Sequence, residues 1–514
     1  MKMMLKRTLA VFLVLVTLFG TIILPAAAAS ETYENDLPTV YLAGATQEVY
    51  DKKGKQVWPV TDGIGDILLD NSSELLSTFS SSLLTSDWSI YGNSLNAALE
   101  KSYSAGTLDN KGNPKNGTKI KSNATPKKKT SNFGLKDYMF KYDPRLDPWE
   151  TASKLNTFIN SVLSATGKKK VNLIGRCMGG CFISAYLCRY GASKVDTAIY
   201  YASAAKGSTI CGELFSGKLD FDSVTINNYA SEYMGDDELS AMLSSIINIT
   251  YSLNMLGMGT DLAAGIFEQL SAEVFPQLLR TTYANMPSYW AMVGEEYYEE
   301  AKNYVFGGHE QEYAELIKKI DNYHSKVKVP LDSKLKQFKA NGMKIAVIAK
   351  YNTPFLPFLE SHSVQGDGQI SLKDISFGAT GAEFGKSFDI EYVNKAKERG
   401  TAEYISDDLI VDASTCLFPS FTWFVRDIAH GEIPAVIDDL MLKILRSKGP
   451  KSVRSFKEYP RYTAYDSKTK TLTPVTEPIP SGTTGNTGGG LFNLISVFTS
   501  ILRVVFNFFK IAFT

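Results

Sequence analysis

The chain contains few of the residues that build metal centres and disulfide frameworks. Its 514 residues include four histidines and five cysteines, and neither a His-Glu-x-x-His segment nor paired Cys-x-x-Cys segments occur. We therefore predict no catalytic metal and no cofactor. Five cysteines leave at least one thiol unpaired, and Cys181 and Cys188 lie about 10 Å apart along a predicted helix, too far to be bridged. A bridge between Cys211 and Cys416 stays open, but nothing in the sequence requires it.

The chain also lacks an excess of charge of either sign. Lysine plus arginine and aspartate plus glutamate both number 54. No overall field therefore attracts a nucleic acid, and we predict no nucleic-acid partner. A lysine-rich stretch at residues 105–132 could form a patch for an anionic surface or a solvated loop. The loop is favoured, because no aromatic residues for stacking alternate with the lysines.

The N-terminal end carries the pattern of an export signal. Lys2, Lys6 and Arg7 precede an apolar run at residues 9–24, and small residues in an Ala-x-Ala pattern follow it. This order is typical of a bacterial-type secretory signal peptide, and the run is short for a membrane anchor, which is the alternative. We predict that residues 1–29 are cleaved and that the mature protein is exported, either secreted or held at the cell surface.

The C-terminal end carries a second apolar segment, residues 491–514. It follows residues 478–490, which have the composition of a flexible linker. Its polar residues recur at alternating steps of three and four, which places them on one narrow stripe of an otherwise apolar helix. Arg503 and Lys510 on this stripe favour a helix lying in a membrane surface. Self-association and packing against the rest of the chain are the alternatives.

One short turn organises the rest of the chain. Residues 171–174 predict a buried strand, and the apolar residues 181–187 predict a buried helix. Between them Gly175, Cys177 and Gly179 form a Gly-x-Cys-x-Gly segment. In a nucleophile elbow, a Gly-x-Ser-x-Gly turn joins strand to helix so tightly that two positions need glycine. Here a cysteine stands where the serine would be.

The neighbouring segments alternate between helix and strand patterns. An amphipathic helix begins after residues 142–150 and precedes the strand at residue 171, and residues 195–201 and 343–349 predict further strands. Such alternation requires a mainly parallel sheet flanked by helices, which is an α/β fold. Residues 51–59 predict a small hairpin. A helical pattern at residues 72–103 is broken at about residues 87–93.

Three motifs of the sequence resemble motifs of the lecithin:cholesterol acyltransferase-like branch of the α/β-hydrolases. They are the Tyr-Asp-x-Arg segment at residues 142–145, the Gly-x-Cys-x-Gly turn, and the loop of small residues at 204–208. The resemblance spans roughly residues 38–435 and implies an α/β-hydrolase fold with a helical cap inserted between two strands. The methionine and aromatic content of the cap segment is equally compatible with plain helix packing.

These features together predict six consecutive parts. In chain order they are a signal peptide (1–29), a first part of the α/β-hydrolase core (30–228), a helical cap (229–338), a second part of the core (339–477), a flexible linker (478–490) and an amphipathic C-terminal helix (491–514).

The resemblance also implies a set of catalytic residues. Asp367 lies in a Gly-Asp-Gly segment similar to the one that carries the catalytic acid in this family. The triad of α/β-hydrolases follows the order nucleophile, acid, histidine, and His430 alone among the histidines lies beyond Asp367. The strand at residues 39–43 ends in a loop of small residues, so the backbone N–H groups of Ala45 and Met178 are the expected oxyanion-hole donors.

The sequence departs from the family at two positions of the turn. The family pattern is Gly-His-Ser-Met-Gly-Gly, whereas Arg176 replaces the histidine here and Cys177 replaces the serine. A helix N-terminus and a neighbouring arginine both favour a thiolate, with His430 as its base.

We therefore predict an ester hydrolase or O-acyltransferase that uses a Cys177, His430, Asp367 triad and an acyl-thioester intermediate. Its expected substrate is a lipid or a small acyl ester. The alternative is a catalytically inactive protein that keeps this fold as a binding module at the cell surface.

Overall fold

The computed structural model describes residues 35–60, 71–219, 268–356, 359–447 and 451–476. The predicted signal peptide, linker and C-terminal helix lie outside these residues, as does the first part of the predicted cap. In chain order the strands are β1 (Thr39–Leu42), β2 (Val49–Tyr50), β3 (Gln56–Trp58), β4 (Lys119–Ile120), β5 (Tyr138–Met139), β6 (Val171–Cys177), β7 (Val195–Ser203), β8 (Lys344–Tyr351), β9 (Thr380–Gly381), β10 (Val411–Asp412), β11 (Thr422–Arg426), β12 (Tyr462–Asp466) and β13 (Thr471–Pro474).

The α-helices are α1 (Ser72–Thr85), α2 (Trp88–Tyr103), α3 (Pro148–Thr166), α4 (Gly179–Tyr190), α5 (Thr209–Ser216), α6 (Phe275–Thr282), α7 (Pro287–Trp290), α8 (Tyr298–Phe306), α9 (Ala314–Tyr323), α10 (Leu331–Ala340), α11 (Leu372–Ile375), α12 (Ile390–Glu398) and α13 (Ala435–Arg446). Two π-helical turns, Leu270–Val274 and His324–Lys328, adjoin α6 and α9. None of the described helices is long and apolar enough to cross a membrane.

Eight strands form one sheet in the order β13-β12-β11-β8-β7-β6-β1-β5. Every neighbouring pair is parallel except β12 with the edge strand β13. The central strands β6, β7 and β8 are buried over almost their whole length. Burial on both faces is what a parallel sheet covered by helices requires, and it explains their continuous apolar sequences. The chain therefore has the predicted α/β fold with a mainly parallel sheet.

Strand β6 is longer than the four residues that the apolar pattern predicts. It continues through Gly175 and Arg176 to Cys177 because parallel neighbours pair with it on both sides. Gly175 is opposite Leu42 of β1 and Tyr200 of β7. Tertiary pairing thus overrides the local polarity of Arg176 and carries the strand as far as the thiol.

Capping residues mark the ends of the helices. The break in the pattern at residues 72–103 is shorter than predicted. Helix α1 is followed by its C-cap residue Ser86, with a φ of 58°, and the side chain of the next residue, Asp87, caps the start of α2. Helix α3 is capped by Asp147, and Gly167 ends it in the left-handed conformation.

A second, three-stranded sheet has the order β3-β2-β4 and contains the predicted hairpin as β2 and β3. Its third strand comes from the lysine-rich stretch, so that stretch is not a free loop throughout. A buried ion pair holds it to the core: Arg145 is bound by both oxygens of Asp143, at 2.9 and 2.7 Å, and donates to the Gly106 carbonyl and to Thr118. From residue 121 onwards the stretch is mostly exposed.

Candidate active site

The residues predicted to form the triad follow different strands of the main sheet. Cys177 is the last residue of β6, Asp367 lies beyond β8, and His430 lies beyond β11 in a loop at residues 427–434, here called the His430 loop. The carboxyl ends of parallel strands meet at one edge of a sheet, where ligands of open α/β sheets commonly bind. Parallel pairing therefore brings these three side chains together across some 250 residues of sequence.

Cys177 has a backbone conformation that is rare for residues with a side chain. Its φ is 52°, in the left-handed region, and such positions store strain that surrounding structure must offset. The turn also needs glycine around it, because a Cβ on Gly179 would lie 2.5 Å from the Leu42 carbonyl oxygen and one on Gly175 would lie 2.8 Å from the Gly180 Cα. A Cβ on Gly180 would meet Ser203 Oγ at 1.8 Å, so a third glycine is required.

His430 and Asp367 form a buried pair. Nδ1 of His430 lies 2.6 Å from Oδ2 of Asp367, and the His430 backbone N–H donates to the Asp367 carbonyl at 2.9 Å. The other carboxylate oxygen accepts the backbone N–H groups of Gln369 and Ile370 at 3.1 and 2.8 Å. Asp367 is thus oriented by its own loop, and it fixes the imidazole with Nε2 on the far side. Nε2 makes no hydrogen bond to a nitrogen or oxygen of the described residues.

The Cys177 sulfur and the imidazole influence each other's protonation. Burial alone would raise the pKa of the Cys177 thiol, but the charge of His430, its hydrogen bond, Arg176 and the Met178 N–H together lower that pKa below its ordinary value. Burial would lower the pKa of His430, yet the charges of Asp367 and Cys177 raise it to about 9. The pKa of Asp367 is lowered, since His430 and Lys350 outweigh its burial. Both shifts favour a thiolate beside an imidazolium.

Two further cations lie under the His430 loop. Lys350 on β8 is fully buried, and its Nζ donates to the carbonyls of Ala429, His430 and Glu432 at 3.0, 3.0 and 2.6 Å. Burial lowers the pKa of Lys350 to about 8, although the Asp367 charge opposes the shift. Arg176 reaches the same loop, with Nη2 at 3.5 and 3.4 Å from the carbonyls of His430 and Gly431.

A cavity of about 40 Å³ adjoins the thiol. Its walls include the loop after β1, the His430 loop, Arg176 and Cys177. Residues from several other segments complete them: Ala204, Ser208, Cys211, Tyr289, Met292, Gln369 and Ile370. Since one water needs at least about 10–15 Å³ of such space, the cavity has room for a small group beside the sulfur.

Both predicted oxyanion donors belong to residues at this site. Met178 directly follows Cys177, and its backbone N–H helps to lower the pKa of the thiol. Ala45 lines the cavity in the loop that follows β1. A Cβ placed on the preceding Gly44 would lie 3.4 Å from Cys177 Sγ. The loop therefore approaches the thiol as closely as a residue without a side chain allows.

The remaining histidines and cysteines have other surroundings. His324 stacks on Tyr298 at 3.8 Å, His309 lies on the surface beside Glu312, and the Nδ1 of His362 contacts the Leu359 carbonyl. All five cysteines are reduced, so the open pairing of Cys211 with Cys416 does not occur. No group of potential metal ligands occurs among the described residues.

Sequence reasoning missed Lys350 and most of the cavity wall. A lysine within the otherwise apolar strand β8 was a usable signal, because a charged residue in a central strand must be satisfied by something specific. Tyr142 of the Tyr-Asp-x-Arg segment is buried and its hydroxyl donates to the Ala43 carbonyl, which supports the loop after β1. The wall residues Ser208, Tyr289 and Gln369 have no comparable signal, since only folding brings them together.

Comparison with known proteins leaves this geometry as the main guide to function. No protein-family model matches the chain, and none of the curated proteins does.

Proposed function

We propose that the chain is an α/β-hydrolase that cleaves or transfers acyl esters, with Cys177 as nucleophile, His430 as acid and base, and Asp367 as the residue that orients His430. The single observation that carries this proposal is the meeting of a thiol on a strained strand-to-helix turn with a His430–Asp367 pair at 2.6 Å. Catalytic groups held at hydrogen-bonding distances in a buried cavity are the usual sign of nucleophilic catalysis.

The order of strands supports the α/β-hydrolase fold. The nucleophile turn follows a central strand, β6, and the neighbour β1 supplies the loop with Ala45. On the other side β8 and β11 precede the acid and the histidine. This chain order of nucleophile, acid and histidine is the one that α/β-hydrolases use. The resemblance to the lecithin:cholesterol acyltransferase-like branch, and the interpretation of the helices near residues 268–340 as a cap, belong to the same proposal.

The reaction starts with attack of the Cys177 thiolate on the ester carbonyl carbon. The carbonyl oxygen becomes an oxyanion held by the N–H groups of Met178 and Ala45. As the intermediate collapses, the carbon–oxygen bond to the alcohol breaks and the His430 imidazolium gives its proton to the departing oxygen. Water, or an alcohol, then loses a proton to His430 and attacks the thioester, which releases the acid or a new ester together with the thiolate.

Export of the mature chain and contact of its tail with a membrane surface complete the proposal. They rest on the sequence patterns at residues 1–29 and 491–514. The small cavity favours short acyl groups among the substrates that the sequence allows.

Acyl transfer is tested on the purified mature chain with a panel of water-soluble esters of two to twelve acyl carbons. We expect turnover of the short members and a transient acyl adduct on Cys177 by mass spectrometry. His430→Ala should lower the rate at least about a hundredfold, the scale of a positioned acid and base. His362→Ala, the matched histidine control, should change it little.

The alternative, a catalytically inactive protein that serves as a binding module, predicts neither turnover nor an adduct. If no ester is turned over and no adduct forms on Cys177 while the protein is folded, the catalytic proposal is wrong. An added alcohol separates the two activities, because a transferase yields the new ester and a hydrolase yields the free acid.

A further inference from the structure

Arg176 is a buried cation directly beside the thiol. It is 9% exposed and lines the same cavity as Cys177. The arginine ion pairs among the described residues belong to Arg145, Arg426 and Arg454. None of the described carboxylates pairs with Arg176. A buried charge without a carboxylate is costly unless other groups, or a ligand, satisfy it.

The hydrogen bonds of Arg176 leave most of its capacity unused. Its contacts with the carbonyls of His430 and Gly431 are 3.5 and 3.4 Å long, beyond the 2.7–3.2 Å of ordinary N–H···O bonds. Its Nε is buried and has no partner among the described residues. Lys350 already holds the same loop through three shorter bonds. Support of the His430 loop therefore does not account for the arginine.

The guanidinium lies beside the thiol, in the wall of the same cavity. A Cβ on Gly44 would be 3.9 Å from its Nη1 and 3.4 Å from Cys177 Sγ, so the guanidinium and the sulfur adjoin the same point of the loop after β1. On its other side Nη2 faces the His430 loop. An acyl group bound to Cys177 thus has this fork of N–H donors within a few atoms of its carbonyl carbon.

We propose that Arg176 binds a carboxylate of the substrate, so that the enzyme acts on esters of short dicarboxylic acids whose second carboxylate is free. The planar guanidinium suits a carboxylate, which can accept two parallel N–H donors. The space beside the thiol and the guanidinium is small, about 40 Å³, which favours a short acid. This substrate class rests on the proposed function, because acyl transfer at Cys177 determines which carbonyl reacts.

Two alkylating reagents of the same shape test the subsite without any turnover. Iodoacetate and iodoacetamide both form a bond from the thiolate sulfur to their methylene carbon and release iodide, but only iodoacetate carries a carboxylate. We expect the ratio of their rates at Cys177 to exceed the ratio for free cysteine by at least about tenfold, the effect of one charge-assisted contact. Arg176→Gln should reduce the ratio at least several-fold, to the part that the charges of His430 and Lys350 contribute, and Arg176→Lys should keep more of it.

The ratio separates binding from activation of the thiol. Both reagents react with the same thiolate, so a change in the pKa of Cys177 alters both rates equally. Such a change therefore cancels in the ratio of the two rates. Arg454→Gln, at an exposed arginine paired with Glu403, is the control and should leave the ratio unchanged. The proposal would be overturned if the ratio of the iodoacetate rate to the iodoacetamide rate were the same in the wild-type protein and in free cysteine. It would also be overturned if Arg176→Gln left this ratio unchanged. Should Arg176→Gln not fold, protection of wild-type Cys177 by succinate but not by succinamide decides in its place.

Matched esters distinguish failure of the subsite from failure of the enzyme. We expect the kcat/KM of a monoester of succinate to exceed that of the butyrate ester of the same alcohol, and Arg176→Gln to abolish the preference through KM. If both esters are turned over without preference, the catalytic proposal stands and the carboxylate subsite is wrong. If the iodoacetate ratio is high but neither ester is turned over, the carboxylate subsite stands and the catalytic proposal is wrong.

Discussion

At the scale of the residue, protonation decides what Cys177 can do. A cysteine buried in apolar surroundings holds its proton more tightly than one in water, as the pKa of Cys211, raised by burial, illustrates. Cys177 is partly buried, and burial acts in the same direction on its thiol, but His430 and Arg176 outweigh the burial and lower its pKa. The difference between an inert and a reactive thiol therefore lies in two neighbouring cations. The sequence shows only one of them adjacent to the cysteine.

We predict that kcat/KM for a soluble ester follows a bell-shaped pH profile. The acid limb marks loss of the Cys177 thiolate and lies below the ordinary pKa of a thiol. The alkaline limb marks loss of the His430 proton needed by the leaving alcohol, and lies near pH 9. Because the Asp367 charge raises the pKa of His430, Asp367→Asn should move the alkaline limb down, towards the ordinary histidine value of about 6.5. Rates measured from pH 5 to 10 check this, and an alkaline limb that stays in place contradicts it.

At the scale of the element, the turn between β6 and α4 depends on close backbone approach. Gly180 is the tightest position, since its missing Cβ would fall on the Ser203 side chain of β7. We predict that Gly180→Ala lowers the free energy of unfolding by about 1–3 kcal/mol, the usual cost of overpacking. Gly431→Ala is the control, because a Cβ there meets nothing within 4 Å. Denaturant unfolding measures both variants, and equal midpoints would show that the turn can relax.

Strand β8 carries the support for the His430 loop. Lys350→Met leaves three carbonyls without their donor, of which the His430 carbonyl makes a buried contact, and an unsatisfied buried group costs about 1–3 kcal/mol. We therefore predict a clear loss of stability and a fall in kcat larger than any change in KM, since the imidazole loses its position. Lys344→Met is the matched control at the other end of the same strand, where the partly exposed pair with Asp196 contributes little.

Lys350→Arg separates charge from shape in this support. It keeps a cation and its N–H donors, so a partial return of kcat assigns the effect to positioning of the loop. Equal losses in Lys350→Arg and Lys350→Met would mean that only the fit of the lysine matters.

At the scale of the whole molecule, the candidate site lies at one edge of the main sheet, and the C-terminal segment is predicted to act separately from it. We predict that removal of residues 491–514 releases the protein from liposomes without loss of activity on a soluble short-chain ester. A glycine-rich linker is expected to decouple the tail mechanically, and burial of each large apolar side chain out of water is worth roughly 1.5–3 kcal/mol. Flotation of the full-length and truncated proteins measures this. If neither floats while the full-length protein elutes as an oligomer, the tail is an assembly element.

The α/β class and several element positions could be predicted because they depend on local patterns. Continuous apolar runs mark β7 and β8, and the spacing of apolar residues marks α3, whose ends agree with its capping residues. Strand β12 and the edge strand β13 could not be predicted in this way. They are only partly buried, so their residues show little apolar pattern. Pairing of β12 with β11, and of β13 with β12, defines them.

The sequence by itself determined the chemical groups of the candidate site and their order along the chain. The glycines around Cys177 indicate a tight turn because no other residue fits there. The family resemblance of the Gly-Asp-Gly segment implied Asp367, and chain order then singled out His430. Only the tertiary structure decided the surroundings that set their chemistry. Burial, the three carbonyls bound by Lys350, and the position of the Arg176 guanidinium beside the sulfur arise from parallel strands distant in sequence. Local sequence patterns do not predict such contacts, because a pKa or a cavity depends on which residues lie close together in the folded chain.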